Sequence, residues 1–463
     1  MTIRRFIILL AAAALLPSTI VAQQKQAPPM PGQPKGVKLP PKRTFTLDNG
    51  MRVTLVPFGS VPKAAFSLNI LVGTINEGAN EIRLANLTGD MLREGTATRT
   101  GQQVAREFAE MGGSLGVGVS ADLTNITSEV LADRAADAAR LIADVVLNPR
   151  FPESELVRVK ATILRNIAIN KTVPQSIANE KFQAALYGDH PYGVTYPKDG
   201  QVEALTIAQV KKFHADNFVA QRAHLIVVGV YDAPAVERAI RDAFAPWARG
   251  TPAPKIPVGP APTGRMTSLT DRPNAPQSTV QLGLRIPGPQ SPDYIPLRVT
   301  DYLLGGSFGS RITTNIREDK GYTYSPNSST NARKESTFWS ENADVTTKDT
   351  GNSLKEIFAE IDKLQKQEPS QAELRGVQNQ MVGIFALQTS SRGGIVGRLT
   401  FADLHGVGDA YLTNFVRNIM SVTPADVKRM TATYLRPDKM TLIVVGDKAT
   451  VEPQIAPWAT VVP

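Results

Sequence analysis

The 463-residue sequence contains no cysteine, which excludes a disulfide framework and any thiolate metal site. Histidine is almost as scarce. The four are His190, His214, His224 and His405, and no two stand four apart on one helix face. No block of lysine and arginine with interleaved aromatics occurs, so the net charge of +9 is not a nucleic-acid footprint, and no nucleic-acid partner is expected. No G-x-S-x-G lies on a strand-to-helix turn, which removes the usual sign of a serine triad. Also missing is an apolar run of the ~20 residues that a membrane span needs. Residues 6–16 are apolar but short; they follow Arg4 and Arg5 and lead into Pro17-Ser18-Thr19-Ile20-Val21-Ala22. That order of charged, apolar and small residues reads as a secretory signal over 1–22, cleaved after Ala22. It predicts a periplasmic or secreted protein with no membrane anchor after cleavage. Without Arg4 and Arg5 the net charge of +9 becomes +7.

What is present describes a folded chain of more than one domain. Hydrophobic content of 42% with 20% charged residues is ordinary for a globular protein, and the length calls for several folding units. Residues 23–44 are proline-rich and polar, an extended leader. A second proline-rich stretch, RGTPAPKIPVGPAPTG at 249–264, lies in a linker over 249–270. It separates a first domain at 45–248 from a second at 271–463.

The two halves repeat each other. LTIAQVKKFHADNFVAQRAHLIVVG at 205–229 aligns without a gap on VTPADVKRMTATYLRPDKMTLIVVG at 422–446, an offset of 217. Each repeat ends in a short helix and an Ala-Pro-Trp, at 245–247 and at 456–458. A shared helix–loop–strand order of this kind marks duplication. Within the first half, residues 51–57, 64–72 and 120–131 have strand character. Helical spacing runs over 133–147, stopping at Asn148-Pro149, and over 154–171. The expected fold is α+β: two homologous domains, each a mostly antiparallel sheet covered by helices, joined by the proline-rich linker as a clamshell.

Residues 83–96 read RLANLTGDMLREGT. They resemble the stretch GLAHFLEHMLFKGT of the insulinase/pitrilysin metallopeptidases, particularly the processing-peptidase-like branch, through Leu84, Ala85, Leu87, Met91, Leu92, Gly95 and Thr96. NPRFPESELVRVKATILRN at 148–166 and ALYGDHPYG at 185–193 carry the same resemblance, which covers essentially the whole chain after the signal. In that family an inverted H-x-x-E-H motif places two zinc-binding imidazoles on one helix face, with a glutamate to activate the metal-bound water. The matching positions here are Asn86, Gly89 and Asp90, and the third ligand position, on the later helix, is Asn166. Asparagine amides and one carboxylate are hard-oxygen donors that do not make a tetrahedral zinc site. The resemblance therefore implies no metal and no cofactor in this chain, with zinc expected in a partner.

The second half retains LLGGSFGSRITTNIREDKGYTYS at 303–325. The run from Ser307 reads as a helix that ends at Gly321 in a left-handed cap, and Tyr322-Thr323-Tyr324 begins a strand. This geometry lets Arg317, in the last helical turn, converge with Tyr324, just beyond the cap. Tyr322 shares a strand face with Tyr324. By themselves the two residues are also consistent with an arginine favouring a helix dipole and a core tyrosine. The segment resembles the family's Arg/Tyr pair, which implies that Arg317 and Tyr324 are catalytic donors able to stabilise a tetrahedral oxyanion.

Two glycine-rich segments complete the candidate site. Gly305 and Gly306 belong to a loop without the lysine of a phosphate-binding loop, and they resemble the substrate-handling glycine loop of non-catalytic processing-peptidase subunits. Ser114, Leu115, Gly116 and Val117 lie in a strand-like stretch. Its glycines permit close approach either by a peptide adding as a strand or by a packed helix. The histidines are read as structural.

The resemblance implies a non-catalytic subunit that binds peptides in a closed chamber and completes the zinc site of a homologous zinc-bearing partner. The alternative is a catalytically inactive peptide-binding or assembly protein of the bacterial envelope.

Overall fold

Two runs rich in β-branched residues, AHLIVVG and TLIVVG, are buried along their whole length, as strands covered on both faces must be. Each is the inner strand of its own sheet. The computed structural model describes Gly36 and residues 38–459; the expected signal at 1–22 and most of the leader lie outside the described residues. The first sheet contains β1 (Arg43–Thr46), β2 (Arg52–Pro57), β3 (Lys63–Ile70), β4 (Gly116–Val119), β5 (Thr124–Leu131) and β6 (Ala223–Gly229). Their order is β1-β2-β6-β3-β5-β4, and only β2 and β6 run parallel. The second contains β7 (Met266–Asp271), β8 (Gln277–Ile286), β9 (Asn327–Ala332), β10 (Thr337–Thr346) and β11 (Thr441–Gly446). Its order is β7-β11-β8-β10-β9, with β7 and β11 parallel.

The second sheet repeats the first strand for strand once β1 is set aside. The helices that precede the two inner strands match as well. Ile207–Asn217 starts at Thr206, whose side chain accepts from the Gln209 backbone N–H; Pro424–Tyr434 starts at Thr423 with the same bond from Asp426. Both are capping boxes, which satisfy amides that a helix start otherwise leaves unpaired.

Six further helices position the candidate site and join the halves: α1 (Leu84–Met91), α2 (Glu153–Asn170), α3 (Pro174–Tyr187), α4 (Tyr294–Leu304), α5 (Gln371–Thr389) and α6 (Arg392–Leu404). Helix α3 leaves the first half and lies on β8 and β11, while α6 leaves the second and lies on β3 and β6. The exchange is apolar. Ala178, Phe182 and Leu186 of α3 pack on Phe338, Ile443 and Val445; Ile395, Leu399 and Ala402 of α6 pack on Val56, Ile226 and Val228. Each large apolar side chain buried in this way contributes ~1.5–3 kcal/mol, so the reciprocal helices hold the halves together. Among the described residues no helix is long and apolar enough to cross a membrane.

Some element boundaries differ from the sequence expectation. The strand expected over 120–131 starts only at Thr124, because the Ser120 hydroxyl and amide bond to Leu123 and close a turn. The glycine-rich stretch pairs only from Gly116 onward, so Ser114 and Leu115 lead into β4 rather than forming it.

Candidate functional site

Helix α1 carries the positions that match the zinc motif. Arg83, just before it, adopts left-handed backbone angles at φ +79°, uncommon for a side-chain-bearing residue. Its guanidinium donates to the Thr195 carbonyl at 2.8 Å and to Asn86 Oδ1 at 3.4 Å. Glu77 accepts from the Ala85 backbone N–H at 2.9 Å, and burial pushes its carboxyl up to about 7. Asn86, Glu77, Arg83, Tyr192 and Arg333 line a cavity of about 230 Å³. Arg333 reaches it from the second half and is held by Gln183 Oε1 at 2.9 Å and the Tyr192 carbonyl at 3.2 Å.

The remaining positions do not assemble a metal centre. Asp90 is half-buried, and that burial raises its carboxyl pKa. Asn166, on α2, is exposed. Gly89, where the family has its base, is buried, and a Cβ there would lie 2.6 Å from Val119 Cγ2. That methyl occupies the space in which a side chain at Gly89 would begin. Among the described residues no three His, Cys, Asp or Glu side chains are grouped to hold a metal. The residues present do not fit zinc.

Val119 belongs to β4, an edge strand of the first sheet. One edge carbonyl is already used: Arg93 donates to the Val117 carbonyl. Leu115 packs against the first core. The stretch 114–119 thus takes part in packing against α1 and still presents a strand edge.

The structure brings Arg317 and Tyr324 together. The helix expected from Ser307 begins only at Arg311, and after Thr313 it widens into a π-helix over Thr314–Asp319. Such widened turns recur at functional sites. Gly321 has φ +67°, the left-handed cap read from the sequence, and the next amide, that of Tyr322, returns to the Ile316 carbonyl at 2.9 Å. Tyr322–Tyr324 makes no strand; Thr323 forms one isolated bridge to Val345. Tyr322 packs on the second core, while Tyr324 is 77% exposed. The Arg317 guanidinium lies 4.8 Å from the centroid of the Tyr324 ring and 4.3 Å from that of Phe308. Its Nε is also 3.2 Å from Glu318. The sequence pattern did not single out Phe308, 66% exposed; the only local signal was an aromatic residue inside a glycine-rich loop.

Gly305 and Gly306 close the end of α4, and there the backbone passes over buried acids. A Cβ on Gly305 would lie 2.6 Å from Glu341 Oε2 and 2.7 Å from Ser328 Oγ. Glu341 is fully buried and has no side-chain hydrogen-bond partner; only the Asn327 backbone acts to hold its charge. Desolvation, then the neighbouring Asp301, push its pKa well above the usual carboxylate range. Asp301 accepts from Ser328 Oγ at 2.5 Å and Trp339 Nε1 at 2.8 Å, and burial raises it to about 6. Gly305 therefore has a packing requirement of its own.

His214, read as structural, packs inward. It bonds to the Val146 carbonyl at 2.9 Å and stacks on Phe218. His224 lies between Arg52 and Asp403 on one ring nitrogen and Thr54 on the other.

Known proteins supply an independent comparison. Residues 54–199 match the family model for insulinase (peptidase family M16), and residues 204–381 match that for the peptidase M16 inactive domain. An uncharacterized zinc protease of Mycobacterium tuberculosis is 31% identical over 62% of this chain. The match spans 66% of that relative's own length, just under two thirds. An uncharacterized zinc protease of Streptomyces coelicolor is 24% identical over 88% of this chain and 90% of its own. Among solved structures, a peptidase M16 inactive domain from Pseudomonas fluorescens matches with a TM-score of 0.82 and 26% identity, over 88% of this chain and 98% of that one. A protease from Helicobacter pylori has the same fold, with a TM-score of 0.81 at 19% identity, over 88% of this chain and 100% of that one.

Proposed function

Because the chain belongs to the insulinase family, peptidase M16, as a non-catalytic member, we propose that it is one subunit of a two-subunit zinc peptidase. A homologous zinc-bearing subunit carries the metal and the base. This chain supplies Arg317, Tyr324 and part of the wall of a peptide-binding chamber. The observation that carries the reading is the asymmetry of what is kept. The motif positions hold Asn86, Gly89, Asp90 and Asn166, and Val119 fills the place of the base. Meanwhile the Arg317 guanidinium lies over both the Phe308 and the Tyr324 ring, and both aromatic residues are exposed.

A partly desolvated cation over two rings gains ~0.5–2 kcal/mol for each ring, and Arg317 keeps 23% of its side-chain surface open to a ligand. The arrangement does restrict the rotamers of a long side chain before substrate arrives. A donor oriented beforehand stabilises developing negative charge on a peptide carbonyl without reorganising during the reaction. The Tyr324 hydroxyl is a second donor from the same patch. The expected secretory signal puts the assembly in the periplasm or outside the cell.

The test is complementation. A zinc-bearing homologue is titrated with the purified chain, and cleavage of a quenched fluorescent peptide is followed. Cleavage should rise to a plateau at one chain per zinc subunit. Arg317→Ala should then lower kcat by about 10²–10³-fold, the usual loss for one such donor, without abolishing association. No gain on mixing, or full activity with Arg317→Ala, refutes the reading.

A further inference from the structure

Where α4 and α6 meet β9, the second half has an open pocket of about 470 Å³, within the ~300–1,000 Å³ usual for small-ligand sites. Two arginines line it, Arg298 from α4 and Arg398 from α6, with Tyr294, Thr330 and Gln388. Both guanidinium groups lie over one ring, with centroid distances of 5.8 Å and 5.5 Å to Phe415. Arg398 also covers Phe385 at 5.0 Å and donates to Gln388 of α5. Neither has a carboxylate within 4.0 Å among the described residues. Asp301, one turn along α4 from Arg298, already accepts from Ser328 and Trp339.

Two cations on one aromatic ring, partly stripped of water and without a counter-charge, repel each other and have lost solvation. Burial, then the neighbouring Arg298, lower the pKa of Arg398; burial acts in the same direction on Arg298, but the Tyr294 and Tyr411 phenols outweigh it and raise that pKa. An anion entering between them relieves both costs, and two planar forks suit a carboxylate, which accepts bidentate bonds. The wall also contains Gly397, where a Cβ would meet no heavy atom within 4 Å. Gly397 lines a second pocket as well, over the face of the first sheet, bounded by Asn69 of β3, Asn125 of β5, Gly118 and Val119 of β4, and Thr400 of α6. The arginine pocket and the sheet face that ends at β4 therefore adjoin across Gly397 of α6.

We propose that Arg298 and Arg398 form a receptor for a carboxylate of a peptide lying along β4, presented by an Asp or Glu side chain or by the peptide's own C-terminus. The assignment rests on the peptide-binding function proposed for the chain and gives it a substrate class.

The experiment uses the full chain and a fluorescein-labelled peptide, followed by anisotropy. Four forms are compared: Glu or Gln at one internal position, each with a free or an amidated C-terminus. Arg398→Gln removes one fork. Gly397→Leu leaves both arginines and fills the cavity from a position with free space, so folding, checked by circular dichroism, is preserved. Carboxylate-bearing forms should bind about tenfold more tightly than the neutral form, as charged hydrogen bonds imply. Each variant should abolish that advantage, and Arg398→Gln should leave the neutral peptide unaffected. The form that gains identifies the source, side chain or terminus. No advantage in the wild type, or an advantage that survives both variants, overturns the proposal.

If no peptide form binds, the peptide-binding reading itself has failed. Succinate then tests the arginines alone by thermal melting. A rise in midpoint that both variants lose keeps the carboxylate receptor, and no rise overturns it too.

Discussion

Gly89→Ala should destabilise this protein, although the same change in an ordinary helix stabilises by about 1 kcal/mol. Gly89 is inside α1 and buried, and the added methyl carbon would lie 2.6 Å from Val119 Cγ2. Carbon atoms prefer about 3.5–4.0 Å, so α1 and β4 must part by about 1 Å or Val119 must leave its rotamer. Overpacking of this kind costs ~1–3 kcal/mol. Set against the helical gain, the net change runs from near zero to a loss of ~2 kcal/mol. The more discriminating quantity is the coupling with Val119→Ala, which removes the obstructing methyls. In the double variant the helical gain should return, giving a non-additivity of ~1–3 kcal/mol. Urea midpoints and slopes of the wild type, both single variants and the double variant measure it. Additivity within ~0.5 kcal/mol would show that α1 and β4 are not in this contact, and the packing account of the missing base would fall with it. The functional corollary is that Asn86→His, Gly89→Glu, Asp90→His and Asn166→Glu together yield chelator-sensitive peptide hydrolysis only when Val119→Ala accompanies them.

Phe182 has no exposed surface and meets Phe338 edge-on at 5.7 Å, so Phe182→Ala should cost ~3–5 kcal/mol and accelerate proteolysis within residues 249–264 as the halves loosen. Two buried titrations act in opposite directions across overlapping pH intervals, so single variants are needed to separate them. Asp301 and Glu341 hold protons more tightly folded than unfolded. Their stabilisation is complete below an unfolded carboxyl pKa of ~4 and is lost as pH rises through the folded values, about 6 for Asp301. Glu341→Gln should raise the urea midpoint at pH 8 and change it little at pH 4. His214 is pushed down to about 4 by burial, so the unfolded chain takes up its proton first, below ~6.5. Stability is lost as pH falls from there towards 4, and His214→Gln should flatten that decline by one proton's worth of slope. Unchanged pH profiles for these variants would contradict the burial assigned to the two groups.

Much of this architecture was legible because it is written in local patterns. The repeated TLIVVG-like strands and their preceding threonine caps follow from short-range periodicity and hydrogen bonding, and the offset of 217 survives intact as equivalent inner strands. The replacements at Asn86, Gly89, Asp90 and Asn166 needed only a matching register. The convergence of Arg317 and Tyr324 followed from one glycine cap.

What the sequence could not declare depends on residues brought together from far apart. The π-helix covers Thr314–Asp319, which contains neither proline nor glycine to mark it in the sequence. Phe308 joins Arg317 only through the loop's path, and Val119 meets Gly89 only because β4 lies under α1. The exchange of α3 and α6 between sheets, and the pairing of Arg298 with Arg398 a hundred residues away in the chain, are likewise tertiary. By itself the sequence determined that the chain has two related α+β halves and that Asn86, Gly89, Asp90 and Asn166 stand at the motif positions, since residue identity and periodicity suffice for both. The folded structure alone decided how the site of the lost base is closed and which cations are left without a counter-charge, because packing and desolvation are properties of neighbours in space.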